Sequence, residues 1–177
     1  MLSIQSIKRI SCVALLCSSS YLMAQSATAA DKHFVREAIE GSTTEVQLGK
    51  LAAEKSPSAD VRDFGQKMVD DHTKLGNQMR EVARQVGVTP SVGISVGGKA
   101  LETALKMFSG ETFDKAYLKV MVKDHQEDVE ALTHEANLGT SPVVRDAAKE
   151  ELEVVSAHLK MVEALASAHH VGVEQDK

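Results

Sequence analysis

The chain has 177 residues, a length typical of one globular domain, and 43% of them are hydrophobic. Its formal net charge of −5 disfavours nucleic-acid binding, because an acidic surface repels the phosphate backbone. Aromatic residues make up only 3% of the chain and Trp is absent, so the core must consist of small or flexible apolar side chains, and the scarcity of proline favours helices over sheets.

The N-terminal segment has the features of a signal peptide and not of a folded domain. Two basic residues precede a short apolar stretch over residues 10–16, and Ala27-Thr28-Ala29 supplies the small residues of a cleavage site. The apolar stretch is well short of the roughly 20 residues that a membrane anchor requires. We therefore expect residues 1–30 to be removed on export and the mature protein to reside in the periplasm.

Removal of this segment changes the chemistry that remains available. Cys12 and Cys17 are the only cysteines, so the mature chain would have no disulfide, no Cys nucleophile and no Cys-based zinc site. The segment also carries two basic residues and no acidic one, which leaves a mature net charge of about −7. A surface of this sign favours solubility and attracts cations. We expect no nucleic-acid partner, no transmembrane segment after cleavage, and a monomer or small homo-oligomer.

The rest of the chain divides at Pro and Gly signals into four long amphipathic helices. Their apolar side chains recur at spacings of three, four and seven residues, as in Val61, Phe64 and Met68. The pattern predicts long helices over residues 31–54, 58–86, 111–138 and 142–168. We expect them to form one bundle domain over residues 31–168, with residues 169–177 as a frayed tail.

The connection between the second and third long helices is too long for a tight hairpin. Residues 88–98 are rich in Gly and are predicted to form a loop, and residues 99–108 are predicted to form a short helix. A connection of this length carries the chain across a bundle, as in ferritin-like topologies. The predicted fold class is therefore all-α, a ferritin-like four-helix bundle with a long crossover between helices two and three.

Two of the long helices share a pattern that ends in an Asp-His pair. Residues 64–72 and 117–125 both follow aromatic-x-x-x-Met-Val-x-Asp-His. In each copy the aromatic residue, the Met and the His are four residues apart, so they lie along one helix stripe, which we expect to face the core. Glu45 lies on the inward stripe of the first helix and His158 on that of the fourth. Each helix is therefore expected to offer a potential ligand to the middle of the bundle.

These positions define a candidate metal site. Its predicted ligands are Glu45, Asp71, His72, Asp124, His125 and His158. Neutral imidazoles beside carboxylates suit zinc, iron, manganese or copper, and the nearby Met68 and Met121 make copper worth considering. Asp71 and Asp124 would bind the metal directly or orient the imidazoles.

Three interpretations of these residues remain open. The first is a periplasmic binding protein, associated with stress, that holds a divalent transition metal or copper. The second is a structural or interaction protein without enzymatic activity, in which hydrogen bonds satisfy the polar core and fix the helix register. The third is an oxidoreductase that uses a bound metal, and it is the least favoured. No catalytic residue is predicted.

Five segments spread over nearly the whole mature chain form a family-level pattern. They are Phe34, 45–52, 61–72, 109–125 and His158-Leu159. In order and spacing they are similar to the ferritin-like family called "domain of unknown function 4142". The resemblance implies an exported four-helix bundle, often described as an outer-membrane protein, without an established activity. The soluble composition of the mature chain favours the periplasm.

The wider ferritin-like superfamily implies a di-iron carboxylate site, from which this chain departs. Such sites require Glu-x-x-His on two helices. Val69, Val122 and Val155 stand three residues before the three core histidines. Only Glu45 corresponds to a bridging carboxylate. Ferroxidase or oxygenase chemistry is therefore not expected, and any metal site would be rich in His.

Overall fold

A computed structural model describes residues 26–90 and 93–172, and within these residues the chain forms five helices and no strand. The helices are α1 (Ala29–Lys55), α2 (Ala59–Val86), α3 (Val96–Lys106), α4 (Gly110–Leu138) and α5 (Pro142–Ala168). The four predicted long helices and the short crossover helix are confirmed. The predicted signal peptide lies outside the described residues, apart from its last five positions.

The long helices form two hairpins that pack against each other. One hairpin is α1 with α2, and the other is α4 with α5, and α2 also packs against α5. The crossover contains α3, which packs against α1 and α4. The predicted ferritin-like four-helix bundle with a long crossover is confirmed. None of the described helices is long and apolar enough to cross a membrane.

The helix ends follow local capping chemistry. Thr28 forms a capping box with Asp31 at the start of α1, and therefore belongs to the first turn although it lies in the predicted cleavage site. Gly87 ends α2 in the left-handed conformation, with φ of 70°. The crossover helix begins earlier than predicted because Ser95 accepts a hydrogen bond from the backbone N–H of Gly98, which starts a helix despite two glycines.

At the C-terminal end, α5 is followed by a turn that contacts the bundle. His169 donates from Nε2 to Asp60 over 2.9 Å, and Val171 packs against the apolar core. Residues 173–177 of the predicted tail lie outside the described residues.

The two helices of the first hairpin approach most closely at a pair of glycines. A Cβ added to Gly49 would lie 2.6 Å from the carbonyl oxygen of Gly65, and one added to Gly65 would lie 2.7 Å from that of Gly49. Backbone atoms cannot move aside as a flexible side chain can. Both positions therefore require Gly, and they hold α1 and α2 at a close spacing.

The core is apolar towards both ends of the long helices and polar in the middle. One apolar cluster includes Phe64, Met68, Tyr117 and Met121, and a second, towards the opposite ends of α1 and α2, includes Ile39. In each long helix the apolar stripe is interrupted midway by a buried polar side chain. These side chains are Glu45, His72, His125 and, on α5, Glu151 and His158. The fold thus carries a polar layer across its centre.

Candidate metal centre

Three histidines from three helices meet in the polar layer. His72 of α2, His125 of α4 and His158 of α5 each offer one ring nitrogen, and these atoms all lie within 4.8 Å of one another. Their ring centroids are 5.3 to 5.8 Å apart, and the three side chains are 2%, 0% and 0% exposed. Among the described residues this is the one group of metal-ligating side chains that converges so closely. We call these three residues the histidine site.

The ring of His125 is held by its own helix. Its Nδ1 donates to the carbonyl oxygen of Met121 over 2.9 Å, one helical turn earlier. This hydrogen bond leaves Nε2 as the nitrogen with a lone pair, and Nε2 has no partner among the described residues. Such a bond fixes the tautomer that a metal ligand needs.

The ring of His158 is held by a carboxylate from the neighbouring helix. Its Nε2 donates to Asp71 over 3.0 Å, while its Nδ1 has no partner in the described part of the chain. Asp71 is itself fixed by an ion pair with Lys67 at 2.8 Å. Burial alone would raise the pKa of Asp71, but hydrogen bonds from Lys67 and His158 lower it to about 2. Asp71 is therefore an anion that orients His158.

The ring of His72 has no hydrogen-bond partner at either nitrogen within the described residues. Burial, together with the two neighbouring imidazoles, lowers the pKa of His72 to about 3, and burial likewise lowers that of His125 to about 4. The pKa of His158 is also lowered by burial, although Asp71 opposes the shift. All three rings are neutral at physiological pH, so their unpaired nitrogens carry lone pairs that can bind a metal.

The structure places two of the six predicted ligands outside the histidine site. Glu45 and Asp124 do not belong to the converging group; they lie in a set of carboxyls from α1, α4 and α5 that repel one another. This set, which we call the acidic cluster, consists of Glu45, Asp124, Asp128 and Glu151.

Burial is the main cause of raised pKa values in the acidic cluster. It raises the pKa of Glu45 well above its usual range, and the charges of Asp124 and Asp128 add to the shift. Burial and neighbouring acids raise the pKa of Asp124 to about 6, of Asp128 to about 7 and of Glu151 to about 8. The positive charge of Lys123 opposes the shift at Asp124 but does not cancel it.

Asp128 and Glu151 were not singled out from the sequence. Asp128 follows Asp124 by four residues, and Glu151 precedes His158 by seven, so both spacings would have put them on inward stripes. Met68 and Met121, considered as soft ligands, are fully buried in the apolar cluster with Phe64. The packing therefore gives no support to metal binding by the thioether sulfurs of Met68 and Met121.

Comparison with known proteins identifies the family. The sequence profile described as "Domain of unknown function (DUF4142)" matches residues 18–165. The chain belongs to the DUF4142 family. The resemblance found in the motifs is thereby confirmed, and no curated protein matches the chain.

Solved structures similar to this DUF4142 protein share its fold at low sequence identity. A DUF305 fragment from Deinococcus radiodurans has a TM-score of 0.71 at 18% identity, covering 81% of this chain and 99% of its own. A DUF305 protein from Streptomyces coelicolor, described as secreted, has a TM-score of 0.70 at 14% identity, covering 83% of this chain and 96% of its own.

A third similar structure is a two-domain protein from Anabaena variabilis with DJ-1/ThiJ/PfpI-like and ferritin-like domains. Its TM-score is 0.60 at 13% identity, and the match covers 83% of this chain but only 39% of that protein. At such identities these likenesses show the fold alone.

Proposed function

We propose that this protein binds one divalent transition-metal ion, or copper, at the histidine site. The observation that carries the proposal is the set of unpaired ring nitrogens: His72, His125 and His158 each keep at least one buried nitrogen without a partner in the described chain. Each such nitrogen costs about 1 to 3 kcal/mol when it is left unsatisfied. A metal ion would satisfy all three at once.

The second ring nitrogens of His125 and His158, which are hydrogen-bonded, support the same interpretation. In metal sites a ligating His usually donates its other ring N–H to a carbonyl or carboxylate, which orients the ring. His125 and His158 have such acceptors in Met121 and Asp71. We therefore assign to Asp71 the orienting role among the two that the sequence left open. Glu45 and Asp124 are not assigned to this metal.

One ring nitrogen from each histidine takes part in the close group, and its spacing is compatible with a metal after small movements. Metal–nitrogen bonds of about 2.1 Å allow two donors to be at most about 4.2 Å apart, against the observed limit of 4.8 Å. Slight rotation of the rings would close this gap. Three neutral nitrogen donors suit zinc or copper, and they leave a coordination position for water.

Sequestration of such an ion under stress is the role we propose, in preference to catalysis. The chain lacks the Glu-x-x-His motif on which di-iron enzymes of this fold depend. We also propose that the protein is exported to the periplasm, which the signal-like residues 1–30 and the secreted description of one similar structure support. Cell fractionation with N-terminal sequencing of the mature chain tests this location.

The metal proposal is tested by elemental analysis of protein purified without chelators, beside the variant His72→Ala/His125→Ala. A matched control is His134→Ala/His170→Ala, which removes two exposed imidazoles. We expect near-stoichiometric metal in the wild type and the control, and none in the core variant. Absence of metal from the wild type, even after reconstitution with copper, zinc, iron and manganese, would contradict the proposal.

That negative outcome would favour the structural alternative. The hydrogen bond between Asp71 and His158 joins α2 to α5 and would fix their register without any metal. In that case Asp71→Ala should lower the thermal stability of the protein as much in the presence of chelator as in its absence.

A further inference from the structure

A cavity of about 660 Å³ lies beside the histidine site, lined by residues of all five helices. Eight Asp and Glu side chains line this cavity, and none of the described residues that line it is a Lys or an Arg. His72 lines the same cavity from α2. Glu127 pairs with Lys123 and Glu40 also has a partner, but the lining still has an excess of carboxylates, which attracts cations, and low-dielectric walls focus that attraction. The lining is therefore suited to a positively charged ligand.

The wall of this cavity contains buried polar groups without partners. Glu45 is 3% exposed and its Oε2 has no hydrogen-bond partner, and His72 is 2% exposed with neither ring nitrogen paired, within the described residues. Because His72 belongs to the histidine site, the unpaired oxygen of Glu45 is the observation that points to a ligand in this cavity. Buried polar groups that face a cavity without a partner indicate a missing ligand or water.

The acidic cluster brings carboxyls from three helices to this cavity. Glu45 comes from α1, Asp124 and Asp128 from α4, and Glu151 from α5, and all four line it. In the described part of the chain no ion pair joins Glu45, Asp128 or Glu151 to a basic side chain. Glu151 is only 7% exposed, so solvent would compensate the charge of its ionised form poorly.

We propose that the acidic cluster binds a hydrated, hard divalent cation of the magnesium, calcium or manganese class in this cavity, at a site separate from the histidine site. Hard cations prefer oxygen ligands, and they keep water molecules where the protein supplies few direct ligands. The carboxyl oxygens do not converge as the three imidazoles do. The cavity has room for the water that would complete the coordination of the ion.

This proposal goes beyond the histidine site and does not depend on it. Nitrogen donors select transition metals, whereas carboxylates select hard cations. The protein would thus hold two unlike cation sites in one polar layer, one with nitrogen ligands and one with oxygen ligands. Each site can be removed without removing the ligands of the other.

Terbium(III), a hard cation that prefers oxygen ligands, is a suitable probe. Tyr117 is the single tyrosine of residues 31–177, and Trp is absent. Burial raises the pKa of the Tyr117 hydroxyl, and the charge of nearby Glu45 adds to the shift. Excitation of Tyr117 should therefore sensitise terbium luminescence at the acidic cluster. Equilibrium dialysis of Tb³⁺ measures binding independently of this sensitisation, and calcium should compete for the same site.

The decisive variant is Asp128→Asn/Glu151→Gln, which keeps side-chain shape while replacing two ionisable carboxyls by amides. We expect its affinity for Tb³⁺ to fall at least about tenfold, with retained helical content and retained transition-metal binding. The control Glu130→Gln/Glu150→Gln removes two exposed charges from the same helices and should leave the affinity unchanged. The variant His72→Ala/His125→Ala should bind Tb³⁺ with less than a tenfold change.

Three outcomes would overturn the proposal. The first is absence of saturable Tb³⁺ binding by dialysis. The second is equal loss of affinity in the Asp128→Asn/Glu151→Gln variant and the surface control, which would indicate diffuse attraction to an acidic protein. The third is abolition of Tb³⁺ binding by His72→Ala/His125→Ala, which would place the ion at the histidine site. Failure of transition-metal binding alone leaves all three measurements unaffected, so the two proposals fail separately.

Discussion

Two buried carboxylates at helix ends, Asp31 and Asp114, are surrounded by hydrogen-bond donors, whereas Glu45, in the middle of the bundle, is not. Asp31 accepts hydrogen bonds from Thr28 and from the backbone N–H groups of Thr140 and Ser141. Although burial opposes it, these bonds lower the pKa of Asp31 to about 2. Glu45, equally buried, has an oxygen without a donor among the described residues.

A second carboxylate at a helix end follows the same pattern. Asp114, at the start of α4, is completely buried and accepts hydrogen bonds of 2.6 Å from the hydroxyls of Ser56 and Ser58, which link it to the turn between α1 and α2. Where partners are present, a buried charge joins the two hairpins. Where hydrogen-bond partners are missing, a buried carboxylate lowers the stability of the fold, and its presence is better explained by a ligand that binds it.

The largest effect should come from removing a partnered carboxylate. Asp31→Ala leaves the N–H groups of Thr140 and Ser141 without their acceptor and removes the cap of α1. We expect the free energy of unfolding to fall by about 3 kcal/mol, measured by urea denaturation. The control Asp146→Ala, an exposed residue of α5, should change it by less than about 0.5 kcal/mol. Equal effects of the two variants would show that the hydrogen bonds of Asp31 do not stabilise the fold.

The next largest effect concerns stabilisation by metal at the histidine site. At a free zinc concentration one hundred times the dissociation constant, the wild type should gain about 2.7 kcal/mol of stability. His72→Ala should abolish this gain, because one of three ligands is missing. Thermal unfolding with zinc and with chelator measures the gain for each protein. A gain in His72→Ala as large as in the wild type would show that zinc binds elsewhere.

The ends and the middle should also differ in the pH at which they affect stability. Glu151 has a folded-state pKa of about 8 against an ordinary value of 4.5, so the native state retains its proton while the unfolded state loses it. Stability therefore falls as the pH rises from about 4.5 to about 8. Glu151→Gln should recover this lost stability above that range and none of it below.

The change of stability with pH has the opposite direction for Asp31. Its pKa is about 2 in the folded state against 3.8 ordinarily, so its contribution is present above about pH 4 and is lost as the pH falls towards 2. Urea denaturation of the wild type, Glu151→Gln and Asp31→Ala across this whole range separates the two effects. A stability difference between Glu151→Gln and the wild type that is constant between pH 5 and pH 8 would contradict the raised pKa of Glu151.

The fold was largely predictable because local signals agree with one another along the chain. Apolar spacing, the caps at Ser58 and Pro142, and the Gly-rich crossover each indicate the same four long helices. The convergence of His72 and His125 was predictable because each follows a buried Met by four residues at mid-helix.

The partners of Asp71, Asp128 and Glu151 were not predictable in the same way. Asp71 contacts His158 and not its neighbour His72, because adjacent residues of a helix point about 100° apart and the packing of α5 decides what Asp71 meets. Asp128 and Glu151 resemble ordinary surface acids, since acidic residues are rarely buried. Helical spacing places both on inward stripes, but the three-dimensional packing decides how deeply they are buried and what they contact.

The smallest predicted effect tests whether Asp71 orients the metal site or binds the metal itself. Asp71→Asn keeps a hydrogen-bond acceptor for His158 Nε2 and removes the negative charge that makes this imidazole a stronger ligand. We expect a stoichiometry of one zinc per chain to persist while the affinity falls by about tenfold, or about 1.4 kcal/mol. Competition with a chromogenic chelator measures both quantities, with Asp70→Asn, an exposed neighbour, as the control. Loss of stoichiometric binding would make Asp71 a direct ligand, whereas an unchanged affinity would mean that the hydrogen bond, and not the charge, positions His158.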